Sequence, residues 1–204
     1  MKKSGIVMIM GSALLLGLFF MPLWNIHLKA PQYKEGLGMD IYIDDIVGES
    51  EFDIAKIDML NHYIGMKTIP KPEDMWEMTV FPLVVGGMAF IGIIIGILGF
   101  LKKLPPISYL IWFVVMSALG LLGMNDFNNW LADYGKNLNP NAAIKLLDVN
   151  GNLMTYKPPL FGYQKMLNFD VWSYPQTGAY FMFAGMLLVL VAFYIGYSAK
   201  RSKA

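Results

Sequence analysis

Polarity along the chain changes in long blocks. Four stretches, residues 5–23, 79–101, 107–123 and 177–197, contain no Asp, Glu, Lys, Arg or His. A helix of about 20 apolar residues crosses a bilayer, so the blocks predict four transmembrane helices. Between them lie two long polar loops, about 25–78 and 124–176. The expected fold is a single four-helix membrane domain over residues 1–204, all-α in its spans, with both loops outward as a small mixed α/β cap.

Within the first loop, Ile41-Tyr42-Ile43 alternates between Asp40 and Asp44 with strand period. Residues 51–66 read as a helix, with Gly65 beginning the exit and Pro70 and Pro72 closing the segment. In the second loop, residues 126–138 read as a helix lying along the membrane surface or extending span three. Residues 144–149 and 153–156 flank Asn150-Gly151, a two-residue hairpin signal. Neither loop has the apolar mass of a free-standing domain, so the cap should depend on the bundle. Spans two and three are expected to pack as an antiparallel hairpin. Gly92 and Gly96 in span two, and Gly178 and Gly185 in span four, suit close helix approach.

Charge orients the spans. Lys2-Lys3, Lys102-Lys103, and Lys200, Arg201 and Lys203 flank the spans with no acid among them. Basic residues in short segments mark the cytoplasmic side. All 15 acids fall in the two long loops, eleven of them in the first. The expected placement is a bacterial inner membrane, with both termini cytoplasmic and both loops periplasmic. Trp24, Trp76, Trp130 and Trp172 follow the outer ends of the spans in turn and suggest an interfacial belt, with Trp112 the exception. The alternative reading of the N-terminus, a cleaved signal peptide, lacks a small-x-small site after Phe20-Met21-Pro22.

Composition narrows the chemistry. The absence of cysteine excludes disulfides, iron–sulfur clusters and thiolate metal sites. Two histidines are too few for haem-copper chemistry, and a net charge of +1 makes no case for nucleic acid. Spans free of ionisable groups argue against a pump or transporter. No nucleophile elbow, phosphate loop or calcium loop is present, so the chain is not expected to be an enzyme; the Gly36–Gly38 spacing lacks the lysine or helix that a phosphate loop needs.

Both histidines lie in the first outward loop, among five methionines. Met59, His62 and Met66 recur at i, i+3 and i+7 and would share one helix face. Thioether and imidazole suit Cu(I) where thiols are absent. His27, just past span one, is a candidate fourth ligand. The plainer reading of the same spacing is methionine packed in a core.

The run from Ile57 to Met66, with its Leu60-Asn61-His62-Tyr63-Ile64-Gly65-Met66, carries a family resemblance, together with Met21-Pro22-Leu23-Trp24 and the Asn139–Lys145 stretch. The chain resembles small four-pass membrane proteins encoded beside nitrous oxide reductase and its copper-chaperone lipoprotein in some Gram-negative bacteria. The resemblance implies an accessory role for a periplasmic copper enzyme, with that enzyme or its copper chaperone as partner; it supplies no active-site assignment. Two functions follow as expectations. One is a membrane-anchored protein that handles or delivers Cu(I). The other is a metal-free scaffold whose acidic first loop docks a periplasmic partner, with its spans against another membrane protein.

Overall fold

The apolar blocks form helices, and they pack in an order that differs from their order in the chain. The computed structural model describes residues 2–144, 155–166 and 168–202. Helix α1 (Lys2–Leu14) continues as a 3-10 segment, Leu15–Phe19. It is followed by strands β1 (Trp24–Ala30), β2 (Tyr33–Ile41) and β3 (Ile46–Gly48), then helix α2 (Asp53–Ile64). Helices α3 (Trp76–Phe100) and α4 (Ile107–Lys136), strands β4 (Gly162–Met166) and β5 (Phe169–Pro175), and helix α5 (Thr177–Arg201) complete the order. The α1 stretch to Phe19, α3, α4 and α5 are each long and apolar enough to cross a membrane.

Helix α1 stands between α3 and α5 and packs closely on both. Glycines make this possible. A Cβ on Gly11 would lie 2.7 Å from the Gly185 carbonyl oxygen, and one on Gly185 would lie 2.6 Å from that of Gly11. On the α3 side, a Cβ on Gly5 would meet the Gly96 oxygen at 2.7 Å. The glycines expected to admit a neighbour do so, and for Gly92, Gly96 and Gly185 that neighbour is α1. With no hydrophobic drive between helices in lipid, such close van der Waals contact supplies the association.

Helices α3 and α4 meet as the expected antiparallel pair, but large side chains hold them apart. The buried Tyr109 sits against Gly99, and Trp112 fills the space beside Gly92. The Trp112 indole N–H donates to the Met88 carbonyl at 3.0 Å, which explains the one tryptophan in mid-span. An unpaired indole N–H in hydrocarbon would be costly.

The cap corrects the expected strand. Residues 42–43 lie in a turn, where the Tyr42 N–H donates to the Asp45 oxygen. The strands lie on either side of it, in one antiparallel sheet of order β3-β2-β1-β5-β4. Pairing of β1 with β5, for example His27 opposite Trp172, joins the two long loops into one body. Residues 145–154 of the expected Asn150-Gly151 hairpin lie outside the described residues. Tyr156, at its far end, is in no strand, and its N–H donates to Gly135 of α4.

Helix α4 extends span three, one of the two expected arrangements. Its outer turns carry Leu131 and Tyr134 into the cap core, beside Ile26, Leu37, Ile57, Ile64 and Val171. A second core, including Met8, Leu15, Ala89, Trp112 and Val189, lies within the bundle. The extension also carries Trp130 away from the end of the apolar block, stacked on Tyr134 with centroids 5.0 Å apart. Trp24 and Trp172 both belong to the sheet, so of the four expected belt tryptophans Trp76 alone stands at a helix end.

Candidate functional site

Two of the three stretches that carry the resemblance meet in space at the C-terminal end of α2. Gly65 takes φ +81°, a left-handed conformation that ends the helix and that glycine adopts at least cost. Its N–H donates to the His62 oxygen and the Met66 N–H to the Asn61 oxygen. Residues 139–144 lie over this end: the Asn139 N–H donates to the Gly65 oxygen at 2.8 Å, and the Ile144 N–H to the Tyr63 oxygen at 2.9 Å. A Cβ at Gly65 would stand 2.8 Å from the Ala142 Cβ, so contact requires glycine here. The third stretch is the joint with the bundle. The Gly178 N–H donates to the Pro22 oxygen at 2.9 Å, and the Trp24 indole N–H to the Ser173 hydroxyl at 2.8 Å.

Within this arrangement the predicted copper ligands separate. Met59 is 54% exposed, and His62, one turn further on, is exposed with its ring edge-on to that of Tyr63. They remain neighbours on one helix face. Met66 does not join them. The helix stops at Ile64, and the turn at Gly65 sends Met66 into the cap core, where it is 7% exposed. The spacing from Met59 to Met66 runs across Gly65, the residue that ends the helix.

His27 lies elsewhere again. On β1, Ile26, Leu28 and Ala30 face the cap core while Asn25, His27 and Lys29 face the other way. Helix α2 packs on the core side, so His27 is turned from His62. Its Nδ1 is 3.4 Å from Glu49 Oε2, and its ring is 6.1 Å from that of Trp172. Gly36 and Gly38 explain themselves here. A Cβ on Gly36 would overlap the His27 ring, and one on Gly38 the Glu49 carboxyl, so bare backbone forms the floor beneath both. The Asn25 amide donates to Asp40 at 2.9 Å and to Glu49 at 2.6 Å, bridging two carboxylates that would otherwise repel. Further along the same face the Tyr163 hydroxyl donates to Asp170, a bond that raises the tyrosine pKa, with burial a smaller cause. The network escaped the sequence reading; the alternation Asn25, His27, Lys29 against Ile26, Leu28, Ala30 was the available signal.

Several acids of the first loop are likewise occupied. Asp53 accepts from the Gly38 and Ser50 N–H groups, and Asp58 from the Ile69 N–H at 2.7 Å. Glu35, Asp44 and Glu51 remain exposed. Beside α2 a cleft of about 440 Å³ opens among Gln32, Leu60, Tyr63, Ile144 and Phe169.

The fit to copper is therefore partial. The structure offers one open imidazole–thioether pair, His62 with Met59, and does not bring Met66 or His27 to it. Among the described residues, no group of three or more His, Asp or Glu side chains is placed to hold a metal. Comparison with known proteins adds no family: no family model, curated protein or solved structure matches this chain.

Proposed function

We propose that this chain is a membrane-anchored accessory protein, not itself an enzyme, that supports a periplasmic copper enzyme of the nitrous oxide reductase type. The bundle holds the cap at the outer surface of a bacterial inner membrane, with both termini in the cytoplasm. The end of α2 meets the enzyme or its copper chaperone, and Met59 and His62 form an open Cu(I) contact.

One observation carries the reading. In the run Leu60–Met66, the side chains of Asn61, Ile64 and Met66 and the backbone of Gly65 serve the fold, whereas His62 is presented outward beside Met59. Imidazole and thioether are both neutral donors suited to Cu(I), and two of them leave coordination open for a partner's ligand. A site that passes metal on needs that opening; a buried four-ligand site would retain it.

Cu(I) titration of the full-length protein in detergent, against a competing chromogenic chelator, tests the reading. Binding is expected to weaken in His62→Ala and in Met59→Ala, and to be unchanged in His27→Ala. Equal affinity in wild type and His62→Ala would remove copper from α2.

The exposed acids favour a second reading, a metal-free scaffold that docks a basic partner. In that case Asp44→Asn with Asp45→Asn weakens docking and flattens its salt dependence, because screened charge is what steers the encounter.

A further inference from the structure

A second cavity, of about 270 Å³, lies where the bundle meets the cap, between the start of α3 and the extended end of α4. Its lining includes Lys67, Asp74, Trp76, Glu77, Trp130 and Asp133. Depth follows from length. The 25 residues of α3 span about 37 Å, against about 30 Å for the hydrocarbon core of a bilayer. Trp76, the first of them, therefore stands at the boundary between acyl chains and headgroups, where it is 59% exposed.

The charges select a ligand. Lys67 Nζ is 2.7 Å from Asp133 Oδ2, so these two cancel. Asp74 and Glu77 have no ion-pair or side-chain hydrogen-bond partner among the described residues. The α3 N-terminus offers them roughly half a positive charge, which does not neutralise two carboxylates. The cavity is thus negative and bordered by the exposed Trp76 indole, whose face attracts cations, while Trp130 is stacked between Phe127 and Tyr134 and serves as wall. A primary ammonium satisfies both features, since its three N–H donors match carboxylate acceptors. At this depth a bilayer supplies that group as a phospholipid headgroup.

We propose that this cavity binds the ethanolamine headgroup of a phospholipid in the leaflet on the cap side. The ammonium is held by Asp74 and Glu77 beside Trp76. An anionic headgroup is repelled by the same carboxylates, and a choline group has no N–H to donate. The bound lipid fills the gap between α3 and α4 at the level where their side chains leave it open.

Full-length protein, purified in detergent and stripped of lipid, is mixed with short-chain phosphatidylethanolamine, phosphatidylglycerol, phosphatidylcholine or free ethanolamine, and binding is read by native mass spectrometry. Phosphatidylethanolamine is expected to bind about tenfold or more tighter than phosphatidylglycerol. Asp74→Asn with Glu77→Gln should abolish the preference, and Trp76→Ala, at an exposed position, should weaken it independently. Equal binding of the two lipids to wild type, or a preference that survives the double substitution, overturns the proposal. Phosphatidylcholine binding as well as phosphatidylethanolamine overturns the N–H assignment. Free ethanolamine binding as tightly as the lipid overturns the membrane as the source.

Discussion

The side-chain amide of Asn61 donates to the hydroxyl of Tyr134 at 2.6 Å, tying α2 of the first loop to the outer end of α4. Both residues are buried, at 7% and 6% exposure, so the bond is shielded from water. Asn61→Ala leaves the buried Tyr134 hydroxyl without its donor and should cost about 1–3 kcal/mol. Asn61→Leu with Tyr134→Phe removes both polar groups and should recover much of that loss. Thermal melts of the detergent-solubilised protein, followed by tryptophan fluorescence, compare the two.

Gly65→Ala should destabilise the cap for two reasons. A left-handed backbone costs a non-glycine residue about 1–2 kcal/mol, and the new Cβ would stand 2.8 Å from that of Ala142. Hydrogen exchange should quicken at the Asn139 and Ile144 amides, which bond to Gly65 and Tyr63. Unchanged exchange there would separate residues 139–144 from the end of α2.

Gly185→Val should disrupt the bundle, because its side chain would be driven into the Gly11 backbone. Gly87→Val and Gly120→Val are the controls, since a Cβ at either meets nothing within 4 Å. The expected outcome is a lowered melting temperature for the first and little change for the other two. Three equal responses would argue that helix propensity, and not contact between α1 and α5, sets the effect.

Tyr163 should titrate above the ordinary tyrosine range because Asp170 accepts its proton-bearing hydroxyl. The sign for stability follows from that direction. A folded-state pKa above the unfolded one gives a contribution that is complete below about pH 10 and declines as pH rises further. Ultraviolet difference titration of Asp170→Asn should show one tyrosine ionising at lower pH than in wild type.

The four spans were legible because a 20-residue apolar run is a long and redundant signal, and the charge partition gave their common ends. Helix α2 was legible from periodicity, and the α4 extension as one of two arrangements of a helix over residues 126–138. The sheet was not. Trp24–Ala30 alternates cleanly but is short and directly follows span one, and its partner β5 lies well over 100 residues away with no local trace of the pairing. The central place of α1 was hidden for a similar reason: Gly5 and Gly11 look like ordinary membrane glycines until α3 and α5 are set against them.

At the candidate site, His62 and Met59 were readable from helical spacing. Met66 was misplaced because its position was projected through Gly65, and His27 because a strand, not a loop end, carries it. The role of Gly36 and Gly38 required knowing that two side chains from other strands or turns lie across them.

The central claim is that the cap, with His62 on its surface, faces the periplasm. The chain has no cysteine, so His62→Cys and, at the opposite end, Lys102→Cys each give a unique thiol. Labelling with a membrane-impermeant maleimide in intact spheroplasts tests the claim directly. The expected result is modification at position 62 without permeabilisation and at position 102 only after it; the reverse pattern would contradict the account.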